Sequence, residues 1–575
     1  MPTFDKLDGF DEAMSLLLRD WNAPGIGVSV IVDDAPVLTK GYGYRDFEKR
    51  LPFNSGTLFP IASNTKQFVA IAAGLLVEEG KLTYDEPLRD KVPSLRFSDN
   101  TLTSLVTLRD LLAHRTGIAR HDMMTANSGA CLKETFDRLR LMKPTAGLRE
   151  KFIYNNVMYF AVGHIIELLS GQTWTDFVRE RILLPAGMHD TSFRLDELLG
   201  RENLAIPFTE RRDSRAMRRL DWELRDDPPR PSGGMVSTLD DMSRWVGVLM
   251  NDGKAGDKQV VPRGVLRETL APSMPLPNAM AEAHGWWESL NGTYGLGRHT
   301  EVYRGHLLAS HGGAIRAFHS QVSLMPKEQI GACVFVIGDH CATLRNVIHY
   351  QIYERLLGLD LTPWSERMRD LVTSARNALS KARKSQHADR VENTQPSHSL
   401  DDYAGQYVHD AYGMMDITVD GEHLRLRFRD EDLPLLHYHY DRFDAKNDDE
   451  GDVIRWRINF MSTLRGDIDR FATRIVENEV VFLRKPDQYD ATAANRFVGS
   501  YESEVGFRFE VRQRNDRTLW LAVPGQTDAE LMSSRRGTFR IPDEPGSTFE
   551  FVEVDGVVVS LDQMTNMGRF VNRKL

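Results

Sequence analysis

The chain has 575 residues, of which 41% are apolar and 27% charged, with a formal net charge of −10. That length exceeds one hydrophobic core and implies two to four domains, and the acidic balance argues against a nucleic-acid binder, whose surface is basic. Three cysteines, Cys131, Cys333 and Cys341, lack metal-ligand spacing and are too few for a disulfide framework.

The first residues, MPTFDKLDGFDEAM, lack the charged start and apolar stretch of a signal peptide. No apolar run is long enough to span a bilayer. The expectation is a reduced, cytoplasmic, soluble protein with no membrane partner. Residues 26–44, IGVSVIVDDAPVLTKGYGY, read as two strands around an Asp-Asp-Ala-Pro turn. Residues 64–79 read as a helix that is apolar almost all round, hence buried, with Gly80 placed to end it. A short amphipathic helix is predicted at 106–114, and further helical segments at 157–170 and 174–184. Residues 237–253 form a helix with Ser237 or Thr238 as N-cap and Gly253 beyond its end. Residues 317–338 are a hairpin turning at 326–329, followed by a helix at about 342–358. Strands come first and last with helices between, so one antiparallel sheet built from both chain ends and flanked by helices satisfies the order. This α+β domain is expected over 1–364, with a helical segment and polar linker over 365–400.

The remainder is strand-rich and contains a faint repeat. Both YAGQY, from Tyr403, and FVGSY, from Phe497, read aromatic-x-Gly-x-Tyr before alternating strands. Two all-β barrels, over 401–487 and 488–575, are the simplest reading.

Chemistry is concentrated in three short stretches. In PIASNTKQF, Ser63 and Lys66 stand three apart at a helix start, on one face and within mutual reach. A serine hydroxyl needs a neighbour to take its proton, and a lysine serves if burial lowers its pKa. The alternative is that Ser63 is only an N-cap. FIYNNVMYF carries Tyr154 and Asn156, the single Tyr-x-Asn, where Asn156 could otherwise cap the next helix. LASHGGAIRAF carries His311 and Gly313, the single His-x-Gly, just before the hairpin.

The ordered set Ser-x-x-Lys, Tyr-x-Asn, His-x-Gly resembles the penicillin-recognising serine hydrolases: class C β-lactamases, D,D-peptidases, esterases and D-aminopeptidases. VTLRDLLAHRTGI (106–118), LLPAGMHDTSF (183–193) and PSGGMVSTLDDMSRW (231–245) extend that resemblance over about residues 10–340. SNTKQF, HGGAIRAF and the two terminal β-units together are most similar to the three-domain bacterial D-aminopeptidases. The resemblance implies an acyl-enzyme on Ser63, with Lys66 and Tyr154 sharing base and acid work. Asn156 would bond the substrate, His311 would line the site and support Tyr154, and the N–H groups of Ser63 and Ala314, beside Gly313, would hold the oxyanion. It implies no metal and no cofactor. Substrates would be small peptides, amides or esters, and a homodimer is plausible.

In those D-aminopeptidases a loop of the last barrel enters the site. The matching stretch here, 524–532, offers Asp528 as partner for a substrate ammonium, against the plain reading of an acidic loop. YGLGRHT departs from the pattern by offering Arg298 and His299 near the substrate, where Arg298 would meet a carboxylate. An esterase, β-lactamase or D,D-peptidase, or a penicillin-sensing or scaffolding protein with a degenerate site, stays open. No Gly-x-Ser-x-Gly or His-Glu-x-x-His occurs. His437, His439 and the acidic run after them read as a barrel strand and solvated loop rather than a metal site.

Overall fold

The computed structural model describes residues 5–126, 128–194, 197–212, 214–223, 228–446, 454–463, 466–475, 478–486, 494–514, 518–533, 538–541 and 546–575. The chain divides into two compact units, Met1–Ser385 and Gln386–Leu575. Among the described residues no helix is long and apolar enough to cross a membrane.

The first unit is built on a nine-stranded antiparallel sheet. Helix α1 (Phe10–Asp20) leads into β1 (Gly25–Val32), β2 (Ala35–Asp46) and β3 (Leu51–Pro52). Helices α2 (Thr65–Glu78), α3 (Leu108–Leu112), α4 (Asn156–Ser170) and α5 (Leu239–Met250) follow. The chain then returns to the sheet as β4 (Met274–Pro275), β5 (Ser289–Tyr294), β6 (His299–Tyr303), β7 (His306–Ile315), β8 (Phe318–Met325) and β9 (Ile330–Ile337), and leaves it through α6 (Leu344–Leu357) and α7 (Trp364–Lys384). The spatial order is β4-β5-β6-β7-β8-β9-β1-β2-β3, so the two chain ends meet where β9 pairs with β1. This is the arrangement the element order implied.

Both central strands are covered on two faces. Phe10, Met14 and Leu17 of α1, at helical spacing, pack with Val28, Val30, Val334 and Val336 and with Val347, Ile348 and Ile352 of α6. The other face takes α5 at very short range. A Cβ on Gly331 would lie 2.4 Å from Val246, and one on Gly27 would lie 2.9 Å from Leu239. Glycine at these two strand positions is what lets the helix seat.

One feature of the sheet shapes the site. Strand β6 pairs with β7 only as far as His299 opposite Ser310, whereas β7 pairs with β8 on to Ile315. Residues 311–315 therefore keep one strand edge free of a β6 partner, and that stretch lies against the turn that begins α2.

The second unit contains two closed eight-stranded antiparallel barrels. The first runs from β10 (Gly405–His409) to β17 (Asn478–Arg484), the second from β18 (Gly499–Ser503) to β25 (Gly568–Lys574). The aromatic-x-Gly-x-Tyr repeat has a physical role in both. The Tyr407 hydroxyl donates to the Tyr403 carbonyl at 2.9 Å, and the Tyr501 hydroxyl donates to the Phe497 carbonyl at 2.7 Å. Each buried tyrosine ties the first strand of its barrel to the segment leading into it.

A buried carboxylate fixes the loops that reach the site. Asp110 accepts from the Thr107 backbone N–H at 2.9 Å, closing a capping box at the start of α3. It also accepts from Arg115 Nε at 2.6 Å and from Arg149 Nε and Nη2 at 2.9 Å each. Burial alone would raise its carboxyl, but Arg149 and Arg115 outweigh that and hold it below the usual carboxylate range. The pair joins the loop carrying His114 to the loop carrying Tyr154. Asp110→Ala is expected to cost about 2–4 kcal/mol, because it strands charged donors beside a buried site, read as a lower urea midpoint. The lowered carboxyl means this stability is present above the unfolded value of about 3.9 and is lost on further acidification. The gap between wild type and variant should therefore close below about pH 4.

Candidate active site

The turn before α2 is held in an unusual backbone conformation. Ala62 has φ +47°, a left-handed geometry that costs about 1–2 kcal/mol for a residue with a Cβ. Neighbours enforce it: Thr65 Oγ1 donates to the Ala62 carbonyl at 2.8 Å and accepts from the Met235 N–H at 3.1 Å. The Ile61 N–H in turn donates to the Met235 carbonyl. Ser63 lies in the resulting 3-10 turn, and the cap position of α2 falls on Asn64, which makes no side-chain cap. The Ser63 hydroxyl is thus not used as a helix cap. It lines a cavity of about 410 Å³ in the first unit.

Lys66 reaches back one turn to it. Its Nζ lies 3.0 Å from Ser63 Oγ and donates to the Ser232 carbonyl at 2.6 Å. The side chain is fully buried, with the Tyr154 and Tyr159 rings 4.9 and 5.3 Å from Nζ. Among the described residues no carboxylate lies within ion-pair distance of it. Burial pushes the amine well below its ordinary value; Asp122 pulls it up and Arg120 pushes it down. A neutral amine beside a serine hydroxyl has a lone pair to take its proton.

The Tyr-x-Asn stretch divides its labour between adjacent asparagines. Asn155 caps α4, accepting from the Val157 N–H at 2.9 Å, and its Nδ2 donates to the Ile118 and Ala119 carbonyls. Asn156 is thereby released from capping and lines the cavity. Its Nδ2 donates to Asp122 Oδ1 at 3.0 Å while its Oδ1 has no protein partner. Asp122 also accepts from Arg120 at 2.7 Å, so the cation at the mouth is already paired. Tyr154 lines the same cavity; burial raises its phenol, with Ser63 alongside pulling it back in part. A protonated hydroxyl therefore faces the serine.

His311 is buried and its partners define its tautomer. Nδ1 lies 2.8 Å from the Gly312 carbonyl, which only accepts, so Nδ1 carries the hydrogen. Nε2, 3.0 Å from the Tyr294 hydroxyl, is then the acceptor. Burial, with His299 and Lys66 nearby, holds the ring well below its usual value and so neutral. The expected support of Tyr154 is not direct: the two rings are 6.3 Å apart, and the hydrogen bond goes to Tyr294, at the end of β5, two strands away in the sheet. His114, also held neutral by burial, accepts from the Asn155 N–H at 3.1 Å and packs 4.2 Å from the Tyr154 ring.

The remaining expected residues separate. His299 and Ala314 line the cavity. Gly313 sits behind it, where a Cβ would lie 2.2 Å from both the Ile61 carbonyl oxygen and Ser320 Oγ, so only glycine lets β7 close on the Ser63 turn. Arg298 does not line the cavity. Its side chain is 2% exposed, with Nε and Nη2 unpartnered, and it belongs to the tight turn between β5 and β6 where Gly297 meets the backbone of α2. Asp528 belongs to the second unit, where Arg514 pairs with it at 3.2 Å. His437 and His439 bond backbone groups of Tyr440 and Val391; the acidic run at 448–452 lies outside the described residues.

Several residues of the site escaped sequence reasoning. Ser232, His114, Tyr159 and Tyr294 come from four different segments, and only the fold assembles them. Ser232 had a signal, since its phrase PSGGM was noted without a role: its carbonyl receives Lys66, and a Cβ on Gly233 would lie 3.4 Å from the Ala62 carbonyl carbon.

Comparison with known proteins bears on the family and the fold. A family profile described as Beta-lactamase matches residues 10–355, and a domain of unknown function, DUF3471, matches residues 389–482. The chain is 27% identical over 450 residues to an unguisins hydrolase of Aspergillus violaceofuscus, covering 72% of this chain and 77% of that protein. It is 26% identical over 340 residues to Protein flp of Staphylococcus aureus, covering 58% of this chain and 63% of that one. In fold it resembles an octameric penicillin-binding protein homologue from Pyrococcus abyssi, with TM-score 0.55 and 21% identity over 84% of this chain and all of that one. With three-fifths of its length matched by the profile, the chain belongs to the beta-lactamase family.

Proposed function

We propose that this protein is a serine hydrolase that forms an acyl-enzyme on Ser63, and that it removes N-terminal D-residues from peptides, amides or esters. The observation that carries the serine chemistry is the buried Lys66 amine, 3.0 Å from Ser63 Oγ and, among the described residues, without a carboxylate at ion-pair distance. The D-aminopeptidase assignment rests on the His-x-Gly at 311–313 together with two trailing barrels, the combination that resembles those enzymes. The relative named for hydrolysing unguisins supports hydrolysis as the reaction class.

The steps follow from the atoms present. Ser63 Oγ attacks the substrate carbonyl carbon while its proton passes to Lys66 Nζ. The oxyanion is met by the Ser63 and Ala314 N–H groups. Collapse breaks the C–N or C–O bond. The leaving group takes a proton from the Tyr154 hydroxyl, which the Lys66 ammonium restores. Water then attacks the acyl carbon, gives its proton to the same pair, and Ser63 leaves with a proton regained. The free edge at 311–315 receives the substrate backbone, and Asn156 Oδ1 accepts from it.

Two experiments test this reading. Wild type should hydrolyse D-alanine p-nitroanilide but neither the L-enantiomer nor the N-acetylated D-form, and Ser63→Ala should lose about 10³-fold or more in kcat/KM. Turnover of esters alone would replace the D-aminopeptidase with an esterase, and no acylation by any reactive ester would leave a binding protein. Lys66→Met should abolish turnover yet match or exceed wild type in thermal stability, because it removes a buried amine. Lys66 is protonated in the unfolded chain up to about pH 10.4 and neutral in the folded one. Wild-type stability from this group therefore rises with pH, and the advantage of Lys66→Met should shrink between pH 6 and 9 in calorimetric melts.

A further inference from the structure

The cavity that opens on Ser63 continues well past the groups used above. Its wall also includes Trp286, Ser289, Glu301, Arg345, His349 and Tyr350. Glu301 is the one carboxylate among the described residues that line it. It stands on β6 two residues from His299, hence on the same face. The His299 ring is 5.6 Å from that of His311. One further pleat along the strand, about 7 Å, separates Glu301 from the catalytic end.

No cation of the protein neutralises this carboxylate. Among the described residues no Lys, Arg or His nitrogen lies within ion-pair distance of it, and its donor is the Tyr350 hydroxyl at 3.4 Å. His299 and His349, which share the cavity, are held neutral by burial, at about 4 and about 3. Arg345 is engaged elsewhere, donating to the Gly313 carbonyl at 3.3 Å and to His319 Nδ1 at 3.1 Å. Ser289 Oγ and His349 Nε2 are buried without protein partners. Burial pushes the Glu301 carboxyl up to about 7, a cost that a bound cation would remove.

Taking Ser63 as the acyl acceptor, we propose that the far end of the cavity is a cation subsite. Glu301 receives the ammonium or guanidinium of the acyl group's side chain, and the enzyme prefers acyl donors with a basic side chain of lysine length. Tyr350 orients the carboxylate, and the unpartnered Ser289 hydroxyl and His349 nitrogen, on the lining of the same cavity, are left to meet polar groups of the ligand. Because the cation is held remote from the acyl carbon, its binding selects the substrate without placing charge beside Lys66.

The test uses p-nitrophenyl esters, which need no D-stereochemistry and so separate this inference from the D-aminopeptidase assignment. Wild type and Glu301→Gln are compared on the 6-aminohexanoate ester, the neutral heptanoate ester and the mono-ester of adipate. A charge-assisted pair predicts that wild type favours the amine ester over the neutral one by about tenfold to a hundredfold in kcat/KM. Glu301→Gln should erase that preference while changing the neutral ester less than about threefold, with a melting temperature no lower than that of wild type. Equal rates for amine and neutral esters, or a preference that survives in Glu301→Gln, would overturn the subsite, whereas a melting temperature that rises in Glu301→Gln is expected from removal of a buried carboxyl. A preference for the adipate ester would also overturn it and give the far end to Arg345. If no ester acylates Ser63, the hydrolase reading has failed, and calorimetry with free 6-aminohexanoate and hexanoate decides the subsite alone. Binding of the amine only, lost in Glu301→Gln, sustains it; no difference between the two ligands overturns it.

Discussion

A buried amine with no carboxylate in ion-pair contact among the described residues is the constraint on which the first unit is arranged. Lys66 stays neutral only if its surroundings exclude water and counter-ions together. A helix apolar on almost every side carries it into the core, and neutral rings rather than acids wall it in: Tyr154 and Tyr159 beside Nζ, with His114 and Tyr294 packed behind them. The two nearest charges, Asp122 and Arg120, oppose each other and bind each other. The remaining N–H capacity of the amine goes to a carbonyl, Ser232, which steadies it without charging it. Such a group weakens the fold, and the covered sheet, the Asp110 junction and the close-packed glycines supply the stability that tolerates it.

The same constraint accounts for the backbone around Ser63. A serine placed 3.0 Å from a buried amine must itself face a cavity, so the chain has to turn sharply just before it. Ala62 takes a left-handed conformation there, and Gly313 lets β7 close on the turn. The strain sits one residue from the hydroxyl whose position it sets.

What the sequence revealed and what it hid divide along range of contact. Ser63 and Lys66 are neighbours on one helical turn, so spacing alone brings them together. Tyr154 and Asn156 were legible as a motif, but the assignment of the capping role to Asn155 depends on carbonyls of residues 118 and 119, which no local pattern shows. His311 was visible and its partner was not, because Tyr294 comes from another strand. Arg298 and His299 are adjacent and have opposite fates. A strand sends successive side chains to opposite faces, and the turn before β6 takes Arg298 away from the cavity that His299 enters. Alternation from His299 also points at Glu301. The barrels were legible through a repeated Tyr whose hydroxyl bonds four residues back, a local interaction again.

Charge in the cavity is therefore ordered by distance from Lys66. At an effective dielectric of about 20, a carboxylate 4 Å away would contribute about 4 kcal/mol to the ammonium, close to three pKa units, and would cancel its use as a base. At three times that separation the effect falls to about one unit. A site that must read a positively charged substrate and yet keep its lysine neutral has to put the reading carboxylate far down the cavity. The substrate's own cation, once seated there, screens that carboxylate further. Glu301, one pleat beyond His299, is the carboxylate that lines this cavity among the described residues, and it makes no ion pair with Lys66.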